Sequence, residues 1–203
     1  MTTSNETVAL PLKINLGSGK DFKADHFNID INGKWKPDAV IDLSREGALD
    51  LVYQSARFGE IRLPRDYFEH MVANDVLEHV PALATMMKNC LDIMKPGGIF
   101  QISVPYDLSY GAWQDPTHVR AFNEKSWLYY TEWFWYLGWQ EARFDLLHTN
   151  VQLSQYGVQL QAEGMTLEHI MRQPRAVDNM TVQLQKRLLN DEEKLIVERF
   201  LQR

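Results

Sequence analysis

This chain is short of cysteine, of positive charge and of long apolar runs, and each shortage closes off a class of answer. One cysteine, Cys90, stands among 203 residues. A lone thiol forms no internal disulfide, so the fold rests on a buried core. Cys90 lies in a helical pattern with Met86, Met87, Leu91 and Met94, where a cysteine acts as a small buried apolar residue. Lysine and arginine number 21 against 27 aspartates and glutamates, and the net charge is −6. The molecule as a whole therefore offers no electrostatic footprint for nucleic acid or anionic lipid. No apolar run approaches the roughly 20 residues of a membrane span. Met1 to Leu12 lacks the basic region and apolar core of a signal peptide. No membrane partner and a cytoplasmic location are the expectation. Internal repeats and low-complexity segments are missing. The histidines, His26, His70, His79, His118, His148 and His169, show no pair at the spacing of a helical metal site, so no metal is expected. No serine sits in a nucleophile-elbow pattern.

What the chain does have is an ordinary globular composition, 45% hydrophobic and 24% charged, at a length that suits one domain. Its most informative stretch is Lys13-Ile14-Asn15-Leu16-Gly17-Ser18-Gly19-Lys20, followed by Phe27-Asn28-Ile29-Asp30. It reads as a strand, a glycine turn and a second strand ending in a carboxylate. Glycines let the backbone turn tightly and approach a ligand. A carboxylate at the next strand tip accepts hydrogen bonds from both ribose hydroxyls. In the dinucleotide fingerprint that acid comes about 20 residues after three glycines. Here Phe22 stands where the third glycine would be, and Asp30 arrives sooner. No lysine-serine or lysine-threonine pair follows the turn, so a phosphate-cradling loop is not supported. A nucleoside without a pyrophosphate fits.

Further strands are predicted at Asp38–Leu43, Phe68–Asn74, Ile99–Val104, Phe144–Leu153 and Met180–Leu184. A helix over Leu83–Met94 stops at Pro96-Gly97-Gly98. Helices are also expected around Gly47–Phe58, from Glu124 with Asn123 as cap, and over Asp191–Arg203 with Leu195, Ile196, Phe200 and Leu201 on one face. Strands alternating with helices predict an α/β fold, a Rossmann-like, mostly parallel sheet with helices on both faces.

Four motifs in order over residues 12–105 resemble class I S-adenosylmethionine-dependent methyltransferases, of the type that carries a DPTHVR loop. They are the glycine turn with Asp30, Asp38-Ala39-Val40-Ile41-Asp42-Leu43, Met71 to Val80 with its Leu77-Glu78-His79 run, and Met94 to Pro105. The resemblance implies a seven-stranded sheet whose last strand is antiparallel, and S-adenosylmethionine as cofactor. It implies cofactor contacts at Asn15, Gly17, Ser18, Gly19, Asp30, Asp42, Asn74 and Asp75. Asn15 replaces the acid that many members carry. Residues 1–11 are read as a loose N-terminus, 12–105 as the cofactor-binding half, 106–190 as the substrate-side half with an aromatic-rich elaboration, and 191–203 as a terminal helix.

For acceptor chemistry the candidate is Gln114-Asp115-Pro116-Thr117-His118-Val119-Arg120. Pro116 stiffens the loop. His118 suits a general base, because its pKa lies near operating pH, and Asp115 suits the acid that orients it. Arg120, Trp113 and Tyr106 are candidate substrate contacts. The crowded aromatics Trp127 to Trp139 suit core, pocket or a homodimer interface. The expected activity is direct methyl transfer to a small-molecule or glycan-type acceptor. The alternatives are a non-catalytic cofactor-binding scaffold and a nicotinamide-dependent oxidoreductase.

Overall fold

The computed structural model describes residues 9–202. Residues 1–8 of the expected loose N-terminus, and Arg203, lie outside the described residues. The strands are β1 (Lys13–Leu16), β2 (Phe27–Asp30), β3 (Ala39–Val40), β4 (Tyr53–Ser55), β5 (Gly59–Ile61) and β6 (Phe68–Asn74) in the first half. Helix α1 (Leu83–Ile93) runs directly into β7 (Met94–Pro105). A single helical turn, α2 (Gly111–Gln114), precedes β8 (Ala142–Leu153), α3 (Gln155–Ala162), α4 (Leu167–Met171), β9 (Val177–Leu188) and α5 (Asp191–Leu201).

Seven strands form one sheet in the order β3-β2-β1-β6-β7-β9-β8. The pairs from β3 to β7 are parallel, and β9 runs antiparallel to both β7 and β8. The central strands are apolar because helices or loops cover them. Ile14, Phe27, Phe68, Met71 and Phe100 are fully buried, and α1 adds Met87 and Cys90 from its inner stripe. The chain leaves β1 towards β2 on one side and reaches β6 on the other. The sheet therefore has its switch point between β1 and β6, where open α/β sheets bind ligands beyond the strands' carboxyl ends.

Four expectations need correction. The third strand is two residues long rather than Asp38–Leu43, because the side chains at both ends are otherwise engaged. Asp38 is drawn to Arg57 and to the Asn28 amide, and Asp42 folds into a turn with Ser44. The helix expected around Gly47–Phe58 is a short 3-10 turn followed by the β4–β5 hairpin. Gly47 and Gly59 both take positive φ, +70°, which interrupts a helix at each end. The helix expected from Glu124 is two 3-10 turns, Leu128–Tyr130 and Phe134–Leu137. Bulky aromatics lose rotamer freedom in a regular helix, and here Trp127, Tyr130, Phe134 and Trp139 are buried from irregular backbone instead. In α5 the inward stripe is Glu193, Val197 and Phe200, and the expected Leu195, Ile196 and Leu201 are exposed. The pairing of Glu193 with Arg143 and Arg187 fixes which face turns inward.

Candidate functional site

A crevice of about 310 Å³ opens beyond the carboxyl ends of β1, β2, β3 and β6. Gly17, Asp30, Asp42 and Asp75 all line it. Gly17 has φ +57°, and a Cβ there would stand 2.5 Å from Val76 Cγ2. Only glycine lets the β1 turn lie this close to the segment leaving β6. Asp30 accepts the Gly19 amide at 2.8 Å on one oxygen and the Asn32 amide at 2.7 Å on the other. Each oxygen keeps a lone pair for a ligand hydroxyl. Asp42 accepts from the amide and hydroxyl of Ser44 at 2.9 and 2.6 Å. Asp75 takes φ +52° at the strand exit. Ile29, Ile41 and Met86 supply apolar walls suited to a planar base.

The remaining candidates for cofactor contact stand apart from the crevice walls. Asn15 is buried, and its amide donates to Asp21 O at 2.7 Å and Asn28 Oδ1 at 3.1 Å. In the fold it ties the glycine turn to β2. The Ser18 hydroxyl is buried without a partner among the described residues. Gly19 contributes by orienting Asp30, and Asn74 is exposed at the end of β6.

The loop after β7 is tied to the turn Leu77–His79, which leaves β6. Val119 N donates to Glu78 O at 2.9 Å, and an Arg120 guanidinium nitrogen donates to Pro81 O at 2.8 Å. Thr117 Oγ1 lies 2.9 Å from His79 Nδ1 and 2.7 Å from Asp115 Oδ1. The carboxylate can only accept, so the hydroxyl proton goes to Asp115 and His79 donates its Nδ1–H to Thr117. His118 Nδ1 lies 3.0 Å from the Ala112 carbonyl, which likewise only accepts. Both histidines therefore carry hydrogen on Nδ1, which in the neutral ring leaves the lone pair on Nε2. Their rings meet edge to face with centroids 4.5 Å apart.

Three expectations change here. Asp115 orients His79 through Thr117, while the backbone carbonyl of Ala112 orients His118. The Thr117 hydrogen bonds hold the Asp115 carboxyl below the usual range. Arg120 binds the Pro81 carbonyl and clamps the loop. Tyr106 is 3% exposed and donates its hydroxyl to Glu124 at 2.9 Å, so its side chain packs inside. Burial, reinforced by Glu124, pushes the Tyr106 phenol far up. Trp113, at 65% exposed, stands open at the start of the loop, its ring nitrogen on Asp107 O.

The sequence reading gave no role to Thr117 and passed over the burial of Glu78. Glu78 is 1% exposed, and neither carboxylate oxygen has a partner among the described residues. Burial pushes its carboxyl up to about 7.

A seven-stranded sheet with its last strand antiparallel, and an acid-lined crevice at the switch point, define a methyltransferase-type α/β protein. Residues 15–162 match the family described as a methyltransferase domain, and the chain belongs to that family. The cofactor this family implies is S-adenosylmethionine, and the crevice fits it. The glycine turn opens the backbone, Asp30 has lone pairs to spare, and the walls beside Asp42 are apolar. No curated protein matches in sequence. Among solved structures, an S-adenosylmethionine-dependent methyltransferase from Mesorhizobium loti is 14% identical with a TM-score of 0.52. The match covers 88% of this chain and 92% of that one. A counterpart from Archaeoglobus fulgidus is 15% identical, TM-score 0.50, covering 88% and 87%. The [4+2]-cyclase SpnF is 12% identical, TM-score 0.52, covering 90% and 78%. At these identities the likeness shows the shared fold. Among the described residues no helix is long and apolar enough to cross a membrane.

Proposed function

We propose that this chain methylates an oxygen of a small molecule or glycan precursor, with S-adenosylmethionine as donor. One observation carries the reading. His79 lines the crevice and also receives the loop that holds His118, so the donor crevice and the histidine pair share a wall. When bound, the donor supplies a methyl carbon activated by the sulfonium charge for in-line displacement. The protein's share is positioning and exclusion of water. Asp30 is assigned the ribose hydroxyls, Asp42 the adenine end and Asp75 the mouth of the crevice. Gly17 lets the backbone come close.

An oxygen nucleophile must lose its proton, and the His79–His118 pair is assigned that task. In its neutral form each ring presents the Nε2 lone pair, held in orientation by Thr117 with Asp115 and by Ala112. Arg120 acts as a clamp on Pro81. Trp113 offers an open face on which a planar or sugar ring can stack. The net charge of −6 favours an acceptor that is not a polyanion. A second reading, a non-catalytic cofactor-binding scaffold, is favoured by Asn15, whose amide is spent on the turn where many relatives carry an acid.

Calorimetry with S-adenosylmethionine and S-adenosylhomocysteine, on the intact chain and on Asp30→Ala, tests the donor site. The expected result is micromolar binding that weakens at least about tenfold in the variant, the loss of charge-assisted hydrogen bonds. Transfer of labelled methyl to hydroxylated small molecules and sugars then separates the two readings. His118→Ala is expected to lose turnover and keep donor affinity. Binding without transfer to any acceptor favours the scaffold, and no binding of either ligand overturns both.

A further inference from the structure

Glu78 is the one feature of the site that the proton-handling role leaves unexplained. Two other buried carboxylates are matched. Asp38 pairs with Arg57 and the Asn28 amide, and Asp30 holds two backbone amides. Glu78, with less exposure than either, has no partner for either oxygen among the described residues. A buried polar group without a partner calls for a missing water or ion. One ligand atom each from Glu78, His79 and His118 lie within 4.8 Å of one another.

We propose that Glu78, His79 and His118 bind a divalent first-row transition metal ion, zinc by preference. Two imidazoles and a carboxylate form a donor set that suits zinc at a site with an open position. The surroundings are those of a metal centre. Ligating histidines usually donate their second ring nitrogen to a carbonyl or carboxylate, which fixes the ring and frees the other nitrogen. His118 does this to Ala112 O, and His79 does it to Asp115 through Thr117. That leaves Nε2 of each ring to meet the ion. One donor atom of each residue lies within 4.8 Å of the others, and three atoms at that spacing need to draw in by about 0.7 Å each to reach bonds of about 2.1 Å. The site is assembled from two chain segments, held together by Val119 on Glu78 and Arg120 on Pro81.

This inference rests on the methyltransferase reading for its role. His79 borders the crevice, so an acceptor hydroxyl beside the donor can take the ion's open position. The ion polarises that hydroxyl, and its proton passes to water. The histidines then act on the acceptor proton through the metal rather than by taking it up.

Tag-free protein, stripped with a chelator and dialysed, is titrated with Co²⁺ and then with Zn²⁺. One equivalent of Co²⁺ is expected to bind with visible d–d absorption and to be displaced by Zn²⁺. Glu78→Gln and His118→Ala are expected to bind at least about tenfold more weakly. Neither residue lines the crevice, so S-adenosylhomocysteine affinity in both variants is expected to match the parent. His118 is partly exposed, which keeps the test open if the buried Glu78 substitution disturbs the fold. Absence of stoichiometric Co²⁺ binding, or equal binding by both variants, overturns the metal site. Loss of S-adenosylhomocysteine binding by the parent protein overturns the methyltransferase reading without touching the metal titration.

Discussion

At the scale of residues, Asp38 shows what a buried charge requires. It is 2% exposed, and Arg57 grips both of its oxygens, at 2.5 and 2.6 Å. The same guanidinium caps the carbonyls of Ala24 and His26, so one side chain ties the hairpin to the edge of the sheet. Arg57→Ala leaves the Asp38 charge unpaired, and unfolding in urea is expected to show a loss of about 3 kcal/mol. A loss under about 1 kcal/mol would class it with exposed ion pairs. Residues of this kind are hard to see in a sequence, because partners meet from distant positions. That Gly17, Asp30 and Asp42 meet at one crevice was legible because strand, turn and terminal acid are adjacent in the chain. The proximity of Glu78 to His118 was not legible, since only folding brings β6's exit against the loop after β7. The burial of Tyr106 has a local signal. Phe100, Ile102, Val104 and Tyr106 alternate inward at period two, and the strand pattern continues through the tyrosine.

At the scale of elements, α5 is held by charge as much as by apolar contact. Glu193 takes Arg187 at 2.6 Å and Arg143 at 2.9 Å, and closes a capping box with Asn190. The Arg187 hydrogen bond, first among these, holds its carboxyl down at about 2 against an ordinary 4.5. A carboxyl with a lowered folded-state pKa stabilises the fold above its unfolded pKa and loses that contribution on acidification. The stability that Glu193 contributes is therefore present above pH 4.5 and fades towards pH 2. Glu193→Gln is expected to lower the denaturation midpoint at pH 7 and to flatten its fall between those limits. An unchanged pH profile would show that the ion pairs carry no stability. The Ile99–Val104 part of β7, the Met180–Leu184 part of β9 and α1 were legible from periodicity, since one period runs through each. The β4–β5 hairpin and the two 3-10 turns were not, because glycine conformation and aromatic burial overrode local propensity there.

At the scale of the whole molecule, one core runs from Ile14 in β1 to Val197 in α5, across every strand of the large sheet. A ligand held at the switch point therefore stabilises the entire unit. At a concentration one hundred times its Kd, S-adenosylhomocysteine should add about 2.7 kcal/mol. For a domain of this size that raises Tm by about 5–10 °C. Differential scanning fluorimetry, reading the tryptophans, checks it, and an unmoved midpoint at saturation would contradict binding to the native state. Sheet order has a further consequence, for synthesis on the ribosome. Among the described residues β8 pairs only with β9, and β9 also covers the edge of β7. A nascent chain that has reached residue 176 carries two long strands, each with an open edge that residues 177–188 go on to cover. Open strand edges recruit neighbouring chains. Translation of residues 177–188 is thus the step that turns an aggregation-prone intermediate into a closed sheet.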